Sequence, residues 1–247
     1  MQKKPLTAAD KATRHGVARV LSKLGHASRT QAAAWVREGR VKVNGRVVRD
    51  PEFPVRMHVD DVAVQGLEAN VQRRYLMLNK PRGLVTTVAD EQGRDTVYRC
   101  FDGADLPWIA PVGRLDKASE GLLLFSNDPA WAAAITDPDR GPGKTYHVQV
   151  DRIPDAAQLA ALQAGVVDDG ERLRASSASL LRAGEKNAWL EIMLDEGRNR
   201  QIRRLLAAFD IAVLRLVRVA IGPLALGELA KGQWRDLSVE EVGALQQ

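Results

Sequence analysis

Cys100 is the only cysteine in 247 residues, so no disulfide can form within the chain. The four histidines, His15, His26, His58 and His147, are scattered with no pair at ligand spacing, which argues against a zinc centre. Neither GxxxxGK(S/T) nor GxGxxG occurs, so nothing in the sequence calls for a nucleotide cofactor. No metal and no organic cofactor are expected. The aliphatic run Leu122 to Phe125 is far too short to cross a bilayer. The opening residues, MQKKPLTAAD, lack the apolar stretch of a secretory signal. A soluble cytoplasmic protein with no membrane partner is the expectation. No repeat of fixed period and no low-complexity tract is present. Oligomeric state is not readable, and a monomer is the simplest expectation.

Charge is unevenly spread. Residues 1–70 carry 13 lysines and arginines against 7 acidic residues, whereas residues 71–247 carry 23 against 24. The whole positive balance therefore sits in the first quarter. A small basic module ahead of a near-neutral body suits docking onto a polyanion, although a solvated basic surface would look the same.

Residues 1–14 read as a flexible basic leader. Val17, Val20, Leu21 and Leu24 then recur at i, i+3, i+4 and i+7, one face of a short helix that Gly25 ends. Ser28 and Gln31 have the spacing of a capping box. The helix they open carries Ala32, Trp35 and Val36 on one face and stops at Gly39. RVKVNGRVV reads as a hairpin, because Asn44-Gly45 tolerates the positive φ angles of a type I′ turn. The stretch ASRTQAAAWVREGRVKVNGRVV resembles the S4 RNA-binding domain, assigned here to residues 15–66. Arg29, Arg37, Arg40, Lys42 and Arg46 lie at the second helix's ends and on the hairpin, where they can gather into a phosphate-binding patch. Residues 67–74 read as a linker.

From residue 75 to 247 strands dominate. YLMLN, LVTTV, TYHVQV, LRASSASL, AWLEIML and VLRLVRVAIG all have strand character. Helical patterns are fewer: DPAWAAAIT, PDAAQLAALQAG, NRQIRRLLAAF and the terminal SVEEVGALQ. Without regular β-α alternation, this predicts an α+β domain on a mainly antiparallel mixed sheet with a central cleft. Trp35 and Trp189 fall in apolar patterns and are expected in the core. Trp108 and Trp234 are expected to pack in the core or at an edge. Glu91 and Asp95 are expected in solvent.

Asp116 occupies a short turn directly before the apolar strand GLLLF. A carboxylate there is either a structural cap or a working group on a rigid support. Ile202, Leu205, Leu206 and Phe209 form the apolar stripe of a later helix, and Arg203 lies about 100° from Ile202, at the stripe's border. A guanidinium at that border can reach a half-buried carboxylate, while Arg204 points away.

GRLDKASEGLLLFSND resembles the GRLD-x-x-(S/T)-x-GLLL-x-(S/T)-ND motif of pseudouridine synthases. KTYHVQV resembles their K-x-Y motif, EGRNRQIRR their G-x-x-(H/R)-Q-(I/V)-(R/K)-R motif, and LVRVAIGPLAL the L-x-R-x-x-(I/Y)-G strand that follows. KPRG at 80–83 is a fifth match. With the S4-like module, the chain resembles the RsuA/RluB/RluE/RluF branch, which acts on ribosomal RNA. The resemblance implies Asp116 as the catalytic aspartate, Tyr146 stacking on the target base, and Arg203 pairing with Asp116. It implies Leu216 as an apolar wall of the uracil pocket, with Arg114, Leu115, Lys80 and Arg200 on the substrate side. It further implies ribosomal RNA or a ribosomal assembly intermediate as partner, and a flipped-out uridine as target. Ser119 stands where threonine is commoner. Two other readings remain: a non-catalytic RNA-binding or assembly factor, and a glycoside hydrolase pairing Asp116 with a second carboxylate.

Overall fold

The computed structural model describes residues 14–67, 72–88, 90 and 92–246. Residues 1–13 of the expected leader, 68–71 of the expected linker, and Glu91 lie outside them. The chain divides into two compact units. The first comprises the described residues up to Arg74 with Asp105–Ala110 and Asn127–Pro129. The second comprises the rest.

In the first unit the elements run β1 (Arg14–Gly16), α1 (Val17–Lys23), α2 (Arg29–Arg37), β2 (Val41–Val43), β3 (Arg46–Val48), β4 (Pro54–Arg56) and β5 (Val62–Val64). The expected punctuation is present. Gly25 and Gly39 follow the two helices at φ of 82° and 76°, the left-handed conformation that ends a helix. Ser28 Oγ accepts from the Gln31 backbone N–H at 3.1 Å and so caps α2, but the return bond from the Gln31 side chain that would complete the expected box is not formed. Asn44 and Gly45 turn the hairpin at φ of 48° and 78°. The hairpin is not alone: β5 pairs with the free side of β2, giving the order β3-β2-β5, and β1 pairs with β4. Val17, Val20, Leu21, Ala32, Val36, Val41 and Val43 form a common core. Each fully buried aliphatic there contributes about 1.5–3 kcal/mol. Trp35 is only partly buried and packs at that core's edge, with Arg40 over its ring at 5.2 Å.

The second unit runs β6 (Tyr75–Lys80), a 3-10 turn (Val97–Phe101), β7 (Ala110–Val112), β8 (Glu120–Ser126), α3 (Pro129–Thr136), β9 (Lys144–Val150) and α4 (Ala156–Ala164). It continues with β10 (Val166–Asp168), β11 (Glu171–Leu173), β12 (Ser177–Ala183), β13 (Ala188–Leu194) and α5 (Gln201–Ala207). It ends with β14 (Val213–Ile221), β15 (Leu224–Ala225), β16 (Trp234–Asp236) and α6 (Val239–Ala244). The main sheet has the order β12-β13-β9-β14-β8-β6-β16. Among the described residues every pairing along it is antiparallel except β14 with β8, which is parallel at Val217↔Glu120 and Arg218↔Gly121. The mixed sheet expected from the sequence is thus observed.

Strand β8 is buried at every residue, which explains its unbroken apolar run. Leu122 and Leu124 meet Trp131 and Ile135 of α3 on one face. Phe125 meets Phe101 on the other, with ring centroids 4.8 Å apart. Gly121 is required for the parallel join. It has φ of 101°, and a Cβ there would lie 2.2 Å from the Arg218 carbonyl oxygen.

Besides Trp35, three expectations fail. LVTTV is not a strand; it makes a single bridge, Val85↔Thr96. Its backbone is used locally instead: Val85 N–H donates to Asp95 O, and Val85 O accepts from Val97 N–H. LRASSASL is split between β11 and β12, because Ser176 Oγ and N–H both turn onto Met193 O. Trp189 is half-buried rather than in the core, and carries Arg182 and Arg215 at 5.2 and 5.7 Å from its ring. Trp234, by contrast, packs on Phe101 at 5.6 Å, and Asp95 is solvent-facing in an ion pair with Arg99.

Candidate active site

Asp116 opens a tight turn in which Ser119 N–H donates to Asp116 O at 2.9 Å. Three groups from earlier in the chain fix this turn. Lys80, fully buried at the end of β6, donates from Nζ to Asp116 O, Ser119 O and Pro81 O at 3.2, 2.9 and 3.1 Å. Gly83 N–H donates to Lys117 O at 2.8 Å. Thr86 Oγ1 donates to Leu115 O at 2.7 Å. The segment expected as a strand is therefore a brace for the aspartate loop. Lys80 does not line the cleft, contrary to its expected place on the substrate side. Burial lowers its pKa to about 8, against the charges of Cys100, Asp116 and Glu120, which act in the raising direction.

A cleft of about 480 Å³ opens over the turn, within the range of small-molecule sites. Asp116, Arg114 and Leu115 line it from the loop, Tyr146 from β9, Leu216 from β14, and Arg200 and Arg203 from α5 and its entry. Tyr146 and Leu216 are buried at 8% and 6% exposure. An aromatic ring and an aliphatic side chain thus face the space beside a half-exposed carboxylate. Arg114 and Arg200 are exposed at the mouth.

The expected Asp116–Arg203 ion pair is not formed. The Arg203 guanidinium instead lies 3.4 Å from Val213 O and 3.5 Å from Ala118 O, and its Nε is buried without a partner. Burial is the main influence on Arg203 and lowers its pKa, with Arg200 and Arg82 acting the same way and Asp116 the opposite. The two groups therefore share the cleft and interact electrostatically without direct contact. Arg204 points away as expected, pairing with Asp168 and Glu171.

Four residues that the sequence reading did not single out also shape the site. Thr86 is the brace described above. Gln201, 2% exposed, donates to Arg174 O and Glu196 Oε1 and accepts from Arg198 N–H, fixing the loop that carries Arg200. Lys144 and Arg218 line the cleft from β9 and β14. The last three stand inside the quoted motifs, as the Q, the K and the R respectively. Among the described residues, no group of three or more His, Cys, Asp or Glu is placed to hold a metal ion.

In the first unit Arg29, Arg37, Lys42 and Arg46 are exposed, and Arg40 is half-buried beside Glu38 and Trp35. They do not share one face. Lys42 stands opposite Val47 and Ala63, and Arg46 opposite Val43. Successive strand residues alternate, so the two cations leave the hairpin on opposite sides.

A basic module of helices and hairpin, and a separate sheet with a carboxylate, an aromatic and guanidinium groups in one cleft, define an RNA-modifying enzyme of two domains. Comparison with known proteins makes this specific. The S4 domain family matches residues 17–62, and the RNA pseudouridylate synthase family matches residues 74–208. The chain belongs to the RNA pseudouridylate synthase family and is an isomerase acting on RNA. It is 35% identical over 231 residues to ribosomal large subunit pseudouridine synthase B of Bacillus subtilis, covering 92% of this chain and 93% of that one. It is 39% identical over 228 residues to an uncharacterised RNA pseudouridine synthase of Aquifex aeolicus, covering 91% of each. A crystal structure of a pseudouridylate synthase superposes with a TM-score of 0.65 at 30% identity, covering 95% of this chain and 100% of that chain. No described helix is long and apolar enough to cross a membrane.

Proposed function

We propose that the enzyme isomerises a uridine in ribosomal RNA, with Asp116 as nucleophile and the target base flipped out of its helix. The observation that carries this reading is the braced Asp116 turn facing Tyr146 and Leu216 across one cleft. A carboxylate on so fixed a backbone can meet a sugar carbon in one orientation.

The chemistry follows from the groups present. The carboxylate attacks C1′ while the N1–C1′ bond breaks, and the bonding pair leaves on N1. The uracil, now an anion, turns in its plane between the Tyr146 ring and the Leu216 side chain. C5 then attacks C1′ and displaces Asp116, and the ring loses the C5 proton and gains one at N1, with Tyr146 assisting the transfer. Arg203 lines the same cleft as Asp116 and brings a positive charge that does not lose its proton at neutral pH. A base inside a duplex is out of reach, and extruding it costs a few kcal/mol. Contacts of Arg29, Arg37, Arg40, Lys42 and Arg46 with phosphates offset that cost without reading sequence. Arg114 and Arg200 at the cleft mouth receive the flanking backbone.

The ribosomal target draws support from relatives such as the Bacillus subtilis protein, whose name specifies the large ribosomal subunit. Residues 15–66 act as the docking domain and residues 75–247 as the catalytic domain. Chemical mapping of pseudouridine in ribosomal RNA from cells with and without the gene tests the assignment. The expected result is a discrete site lost with the gene and restored by incubating that RNA with the purified protein. An unchanged map, with new pseudouridine only in transfer RNA, refutes the ribosomal target.

A further inference from the structure

Two cations on the floor of the cleft have no part in the chemistry above. Arg218 is 5% exposed. Its Nε donates to Leu122 O at 2.7 Å, while Nη2 is buried with no hydrogen-bond partner. Lys144 is half-buried, and its side chain makes no hydrogen bond or ion pair with any described residue. Both line the cleft. Arg218 stands opposite Tyr146 in the β14–β9 register. Lys144 is two residues before Tyr146 on β9, so it projects from the same face. The two are close enough that the Arg218 charge acts on Lys144 to lower its pKa, second to burial, with Asp195 opposing. Neither cation has an acid in contact. The other buried acid beside this strand, Glu120, is occupied by Arg215 and Lys231.

Desolvated donors left without acceptors cost about 1–3 kcal/mol each, and more when charged. Arg218 Nη2 is such a donor, and half-buried Lys144 sets a second cation beside it; a site that keeps this pair is suited to an anion that exists only during the reaction. The proposed chemistry supplies one. When N1–C1′ breaks, the electron pair left on N1 spreads over the O2 and O4 carbonyl oxygens of uracil.

We propose that Arg218 and Lys144 form the anion-holding floor of the cleft, donating to the carbonyl oxygens of the detached uracil and so stabilising it as a leaving group. This rests on the uridine reading above and names the groups that make glycosidic cleavage possible. Both are substrate-contacting residues whose interaction strengthens as charge develops. Tyr146 and Leu216 confine the ring; the two cations hold its charge.

The test is single-turnover conversion of substrate RNA carrying either uridine or 5-fluorouridine at the target, read as loss of the parent nucleoside in digests. Fluorine stabilises the uracil anion, so a fluorinated base needs less help to leave. Arg218→Gln is expected to slow uridine conversion about 100-fold or more, with RNA affinity within about threefold. On 5-fluorouridine RNA the ratio of wild-type to variant rate is expected to shrink at least about tenfold. Arg218→Lys, which restores a cation, is expected to recover part of the loss. Lys144→Gln is expected to show the same substrate-dependent shrinkage from a smaller loss, and it decides the matter where Arg218→Gln does not fold. Equal losses on both RNAs mean a structural role only and overturn the proposal, as does a rate within about threefold of wild type. Wild-type protein that makes no pseudouridine in any RNA instead refutes the enzymatic reading on which the proposal rests.

Discussion

Replacing Lys80 with methionine removes a buried ammonium while nearly keeping its volume. Two opposing effects on stability can be sized. Lys80 is fully buried and its pKa falls from 10.5 to about 8, so relief of its charge gives back about 3 kcal/mol. Against this, the carbonyls of Pro81, Asp116 and Ser119 lose their shared donor, at about 1–3 kcal/mol for each one left buried and unpaired. The net loss of stability is expected between about 0 and 6 kcal/mol, the lower end holding where water reaches the freed carbonyls. Catalysis has no such offset. Two of those carbonyls define the turn that presents the carboxylate, and a displacement of about 1 Å at a reacting group costs about 100-fold in rate. Lys80→Met is therefore expected to retain a cooperative urea transition and bind RNA within a few-fold, yet convert uridine at least about 100-fold more slowly. A folded variant with near wild-type single-turnover rate shows that Lys80 does not position Asp116.

The same lysine sets a pH dependence. Its folded-state pKa lies below its unfolded value of 10.5, so between about pH 8 and 10.5 the unfolded chain binds the extra proton and the Lys80 contribution to stability rises with pH. The rate is expected to fall above about pH 8 as the brace loses its charge, so activity and this stability contribution move in opposite directions; in Lys80→Arg, which stays protonated, the alkaline fall disappears. Gly121→Ala places a methyl 2.2 Å from Arg218 O at φ of 101°, and is expected to destabilise by several kcal/mol or leave the protein insoluble; a midpoint in urea near wild type contradicts the close-approach account. Changing Arg29, Arg37, Lys42 and Arg46 together to glutamine is expected to weaken RNA binding and flatten the log K against log salt plot by up to about 3; an unchanged slope excludes these residues from phosphate contact.

Local rules made much of the fold legible. Asn44-Gly45 turns the hairpin because few other pairs accept two positive φ values, and Ser28 caps α2 because its hydroxyl fits an orphan N–H. The apolar run of β8 read as a buried strand, and it is buried on both faces. LVTTV has the β-branched residues of a strand, yet Thr86 and Val85 are held by the Asp116 loop and Asp95, contacts between distant segments that no period reveals. Trp189 lies in an alternating strand, but which face of that strand meets solvent depends on its neighbours in the sheet. At the site, motif order located Asp116, Tyr146 and Leu216. It did not show that Lys80 works from behind the turn, or that Arg203 rests on two carbonyls rather than on the carboxylate. Arg218, a charged residue in a strand pattern, reads as exposed, whereas the parallel join to β8 buries it.

Under the proposed function the carboxylate of Asp116 does the chemistry and the surrounding site exists to place it. Single-turnover pseudouridine formation by Asp116→Asn, alongside its RNA affinity, measures this most directly, since the amide keeps the shape and removes the charge. The expected result is no detectable product with affinity within a few-fold of wild type. Product at a rate comparable to wild type, from protein shown to be free of parent enzyme, contradicts it.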